Sequence, residues 1–146
     1  MADGAMPGPE LAARLAAVPG AEQVEARRDG LWVAAPHLDV QEMAHAMNAL
    51  GCRLVTITGL ARDRGETEII YHFVRSGEVI NFTTSTHNGA IPSVTPVLRP
   101  ASWAEREIHD FFAVDFVGHP NLAPLLRPAS LNEGFFRDPE PHKAES

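Results

Sequence analysis

Cysteine occurs once in this sequence, at Cys52. That excludes an internal disulfide, a cysteine-held iron–sulfur cluster and a Cys-rich zinc site, each of which needs several thiolates. A single thiol fits a reducing compartment. Cys52 follows a helical apolar stripe, which reads as a buried structural thiol and not a catalytic one. Long apolar runs are also missing, and none approaches the roughly 20 residues that a membrane-spanning helix needs. Met1 to Pro9 contains Asp3 and no Lys or Arg, so the basic and apolar regions of a secretory signal are not expected there. Basic residues are few, with 12 Lys and Arg against 19 Asp and Glu and a net charge of −7. Such a balance opposes nucleic-acid binding and direct docking on anionic lipid, both of which require a basic face.

The usual signs of an active site are missing as well. There is no G-x-G-x-x-G and no G-x-x-x-x-G-K-[ST], hence no standard phosphate cradle. The seven histidines (His37, His45, His72, His87, His109, His119 and His142) form neither H-x-x-x-H nor H-E-x-x-H. They read as scattered surface or hydrogen-bonded side chains. No serine sits in a nucleophile elbow. The expectation is a chain without a cofactor, metal or catalytic residue of its own.

What is present is a chain of 146 residues, 45% apolar, enough for one domain with a real core. Glu10 to Val18 reads as a short helix stopped by Pro19-Gly20. Glu22 to Arg28 and Leu31 to Ala35 flank Asp29-Gly30, the signature of a hairpin with a type I′ turn. Asp39 with Glu42 caps a second helix whose Val40, Met43, Ala44, Met47 and Leu50 share one stripe before Gly51. Arg53–Leu60, Glu68–Val74 and Glu78–Thr84 read as strands, with Glu68–Val74 internal because it is apolar on both faces. Arg75-Ser76-Gly77 links the last two tightly. Thr86 to Pro100 reads mostly as loop. Ser102 with Glu105 has the form of a capping box that opens a helix to about Phe112. The predicted fold is α+β: two main helices packed on one mixed sheet of about five strands. The predicted boundaries are a fraying N-terminus over 1–9, the domain over 10–126 and an extended tail over 127–146.

The densest signal is Trp103 to Pro120, WAEREIHDFFAVDFVGHP. On a helical wheel Ala104, Ile108, Phe111 and Phe112 share an arc that packs on the sheet. Arg106 and Asp110 form an i, i+4 pair on the far side, Glu105 and His109 a second pair on one flank, and Glu107 lies at the arc's edge beside Trp103. On pattern alone this is a solvated face with exposed ion pairs, each worth about 0.3–0.5 kcal/mol.

The same run resembles the signature of the 30 kDa subunit of NADH:quinone oxidoreductase. The matching positions are Trp103, Glu105, Arg106, Glu107, Asp110, Phe112, Phe116, Gly118, His119, Pro120, Asn121, Leu122, Leu125 and Leu126. Upstream, Ile91-Pro92-Ser93-Val94-Thr95 is similar to that family's short Pro-Ser-(Leu/Val)-Thr segment. The resemblance implies a non-catalytic, cofactor-free subunit on the cytoplasmic side, held to the membrane through partner chains. Those partners are a hydrogenase-like large subunit and an iron–sulfur small subunit. Related subunits occur in membrane-bound [NiFe] hydrogenases and formate hydrogenlyases, and Ile108-His109-Asp110 is spelled more like that branch. The resemblance also turns the Trp103–His119 surface from a solvated face into a docking face. The partner-binding set it implies is Trp103, Glu105, Arg106, Glu107, Asp110, Gly118, His119, Pro120 and Asn121; in the tail, the composition of Phe135, Phe136 and Arg137, aromatics beside an Arg, is that of an anchor on a partner. Two departures stand out: Ala113 replaces the family's glycine past the helix, and Phe136-Arg137-Asp138 is a remnant of the family's basic ending. The competing readings are a stand-alone interaction module and a small hydrolase. Neighbouring genes for hydrogenase-like large and small subunits would discriminate them.

Overall fold

In the computed structural model of the protein, residues 8–122 are described, Arg64 by its backbone alone. The chain runs α1 (Gly8–Ala16), β1 (Gln23–Arg27), β2 (Gly30–Ala34), α2 (Val40–Ala49), β3 (Arg53–Ala61), a 3-10 turn (Asp63–Gly65), β4 (Thr67–Arg75), β5 (Glu78–Ser85), β6 (Ala90–Pro92), α3 (Ala101–Phe112) and β7 (Asp115–Val117). Among the described residues five strands form one mixed sheet in the order β1-β2-β5-β4-β3, and β6 pairs with β7 in a small second one. The α+β expectation holds, with β4 internal.

Alternation explains the core. Ile69, Tyr71 and Phe73 of β4, Ile80 and Phe82 of β5, Leu31 and Val33 of β2 and Ile57 of β3 all point to one face and are buried. The helices cover that face with Leu11 and Leu15 of α1, Val40, Met43 and Met47 of α2, and Ala101, Ala104 and Ile108 of α3, all in one continuous cluster. The result is two layers, helices over sheet. Cys52 lies in this cluster, and burial pushes its thiol pKa up against a smaller opposing pull from Arg75. Asp39 caps α2 as expected, its Oδ1 accepting from the Glu42 N–H at 3.1 Å.

Two local expectations are corrected and a third is refined. The β1–β2 hairpin exists, but Arg27 pairs with Gly30, so Arg28 and Asp29 are the turn residues. Neither has positive φ; Gly30 does, at 132°. A type I′ turn is therefore absent there, and it appears at Ser76-Gly77, where φ is 50° and 80°. Thr86 to Pro100 is mostly loop, as expected, but includes the three-residue β6, whose parallel partner β7 lies beyond α3. Finally, α3 has no capping box: its N-cap is Pro100 without a side-chain cap, and Glu105 is committed elsewhere.

Candidate functional site: the signature helix and the loops it gathers

The signature residues divide by depth. Glu105 and Asp110 are fully buried, against the expectation that both belong to exposed helix pairs. α3 is wedged between the sheet on one side and the Ser93-Val94-Thr95 loop on another, so its apolar arc is not its only covered side. Ala104 and Ile108 occupy that arc and are buried, while Phe111 and Phe112 are half-buried.

Glu105 holds the neighbouring loop. Its Oε1 accepts the Ser93 hydroxyl at 2.6 Å and the Thr95 hydroxyl at 2.7 Å, and its Oε2 accepts the Val94 N–H at 2.8 Å. Three consecutive residues thus donate to one carboxylate, which balances its desolvation with charge-assisted bonds. Ser93 N–H in turn donates to Val117 O at 2.8 Å, tying the loop to β7. Ser93 and Thr95 had no role assigned from sequence. The Pro-Ser-Val-Thr segment was the available signal, but its partner lies ten or more residues away.

His119 completes the cluster, its side chain only 1% exposed. Its Nδ1 accepts the Asn121 N–H at 2.8 Å, which leaves the ring proton on Nε2. That nitrogen faces Ser102 Oγ at 3.2 Å and Glu105 Oε1 at 3.8 Å. A Ser-His-acid relay needs the acid on the ring nitrogen opposite the serine. Here serine and acid share one nitrogen and a backbone amide occupies the other, so this arrangement fixes a turn and does not activate Ser102. His109 is separate from Glu105: its Nδ1–H donates to Val114 O at 2.9 Å, closing the end of α3. Beneath the cluster, the Tyr71 pKa is pushed well above its usual range by burial and, second, by the negative charge of Glu105.

The remaining signature residues face outward. Trp103 is 57% exposed, Gly118, Pro120 and Asn121 are exposed, and Arg106 and Glu107 are intermediate. Gly118 takes φ 89°, a conformation that suits glycine. Phe135, Phe136 and Arg137, like the expected tail over 127–146, lie outside the described residues. Among the described residues, no three His, Cys, Asp or Glu side chains are grouped to hold a metal ion, and no helix is long and apolar enough to cross a membrane.

Comparison with known proteins agrees with the signature. The profile of the respiratory-chain NADH dehydrogenase 30 kDa subunit matches residues 33–144. The chain is 34% identical over 79 residues to the C-type NADH-quinone oxidoreductase subunit of Caulobacter sp. (strain K31), covering 51% of this chain and 37% of that protein. It is 34% identical over 80 residues to the C/D-type NADH-quinone oxidoreductase subunit of Methylococcus capsulatus, covering 52% of this chain and 14% of that one. The matches thus span well under half the length of these relatives. Among solved structures, a trypsin-resistant fragment (1-134) of Nqo5 superposes with a TM-score of 0.58 at 29% identity, covering 68% of this chain and 89% of that one. A chain of an archaeal respiratory membrane complex, the membrane-bound sulfane sulfur reductase, shares the fold with a TM-score of 0.74 at 23% identity, covering 88% of this chain and 80% of that one. With most of its length matched, signature included, the chain belongs to the respiratory-chain NADH dehydrogenase 30 kDa subunit family.

Proposed function

We propose that this chain is a non-catalytic, cofactor-free subunit in the peripheral arm of a membrane-bound electron-transfer complex, of the NADH:quinone oxidoreductase or membrane-bound [NiFe] hydrogenase kind. It docks against a hydrogenase-like large subunit, next to an iron–sulfur small subunit, on the cytoplasmic side. Its role is to hold partner chains in register, and the electron donor and acceptor are properties of those partners. One observation carries the reading: α3 is locked on its inner side by the Glu105 clamp and presents Trp103 on its outer side at 57% exposure. A rigid helix displaying an exposed Trp beside an Arg has the composition of an interface hot spot. Phe135, Phe136 and Arg137 belong to the proposed contact set on sequence grounds.

The test is co-expression of the chain with the large and small subunits of its complex, followed by affinity purification. Trp103→Ala and Arg106→Glu are expected to reduce recovery of the large subunit at least several-fold. Trp103→Ala is expected to leave the melting temperature of the isolated chain nearly unchanged, because little packing is lost at so exposed a position. Unchanged recovery with both variants would overturn the docking role.

A further inference from the structure

The two edges of the main sheet are built differently. β1 is five residues long and carries Glu25 and Arg27, which pair with each other at 3.1 Å. β3 is nine residues long, and between Arg53 and Arg62 its sequence, LVTITGLA, contains neither a charge nor a proline. Its inner side pairs with β4, with a single irregularity between Leu54 and Thr56. From there Thr56–Ala61 runs in unbroken register with His72–Thr67. Among the described residues β3 ends the sheet, and no backbone hydrogen bond reaches its outer side. Val55 and Leu60 are 55% and 40% exposed.

A groove of about 330 Å³ runs beside this edge, lined by residues 56–59 of β3 and by Glu107, Ile108 and Phe112 of α3. Gly59 permits the close approach of that wall, since a Cβ there would stand 3.3 Å from the side chains of both Ile108 and Phe112. A strand edge presents unpaired donors and acceptors that recruit another strand, and proteins blunt such edges with charge, proline or a cover. β1 is blunted in this way. After Arg53, β3 is an uncharged run rich in β-branched residues, which leaves it an efficient template.

We infer that the outer edge of β3 is a strand-addition site for an extended segment of a partner subunit. The inference rests on the subunit reading above and adds a surface and a mode of contact to it. The added strand pairs with the backbone along Thr56–Ala61 and sets apolar side chains against Ile108 and Phe112. It carries a Lys or Arg opposite Glu107, among the described residues the one ionisable group lining the groove. That carboxylate also selects against a second copy. Antiparallel pairing of two β3 edges keeps both α3 helices on one face of the joined sheet and brings Glu107 towards Glu107, a like-charge contact.

The experiment is backbone amide hydrogen exchange on the isolated chain and on the chain assembled with its co-expressed large and small subunits. Outward-facing amides of Thr56–Ala61 are expected to exchange fast in isolation and to slow about a hundredfold on assembly. Glu107→Lys is expected to reduce recovery of the partner several-fold. A complex that assembles while β3 exchange stays fast overturns the inference and leaves the subunit reading standing. Protection that appears in the isolated chain only at high concentration assigns the edge to a second copy. Protection in the isolated chain at every concentration assigns it to this chain's own remaining residues. Either of those outcomes also overturns it. Failure to assemble at all overturns the subunit reading, and this inference with it.

Discussion

Glu105 gathers three donors from Ser93, Val94 and Thr95 onto one buried carboxylate. Glu105→Ala strands two hydroxyls and one amide in a buried setting, at about 1–3 kcal/mol for each orphaned group. The expected loss is above about 3 kcal/mol, read as a fall in the urea midpoint, with Glu105→Gln intermediate because its amide keeps one acceptor oxygen. A loss under about 1 kcal/mol for the alanine variant would show that the clamp contributes little. Sequence reasoning placed Glu105 on an exposed flank because spacing describes only a residue's own helix. Burial here comes from a loop ten to twelve residues upstream, and no periodicity within α3 encodes it. Trp103 and Ile108, whose environments follow from the wheel alone, were legible.

At the scale of elements, α3 ends at Ala113 with φ 58° and ψ 33°, in the left-handed region. A side chain there costs about 1–2 kcal/mol, part of which Ala113→Gly returns to the larger entropy of the unfolded chain. The variant is therefore expected to be more stable by about 1 kcal/mol, a rise of about 3 °C in melting temperature by calorimetry. An unchanged or lower value would mean that the Ala113 methyl makes packing contacts worth as much as the strain. The departure from the family glycine was visible in sequence; that the helix still turns there in the left-handed conformation required the structure. Strands β3, β4 and β5 were legible because runs of eight or nine residues give several periods of alternation. β6 and β7 were not, because three residues do not complete two periods and their pairing spans α3.

For the whole molecule, the sole tyrosine reports on the integrity of the core. Tyr71 is fully buried, and its hydroxyl has no hydrogen-bond partner among the described residues. Its pKa is raised well above 10.0, so the unfolded chain releases this proton first as pH rises. The contribution to stability is complete below pH about 10 and declines from there through the higher folded-state value. Unfolding at alkaline pH should therefore coincide with phenolate absorbance, and Tyr71→Phe should flatten the wild-type fall in stability above pH about 10. Phenolate appearing near its ordinary pH in a chain that remains folded would refute this. Sheet order has a temporal consequence as well. β2 pairs in parallel with β5, Leu31 beside Ile80, whereas β3, β4 and β5 are joined by short connections. Closing that long loop is slow compared with forming the meander. On the ribosome β2 emerges 49 residues ahead of its partner, a wait of roughly 2–10 s at typical synthesis rates. Through that interval the β1–β2 hairpin is a newborn segment with no sheet to join, and the topology leads us to expect that assembly of this protein begins in its middle.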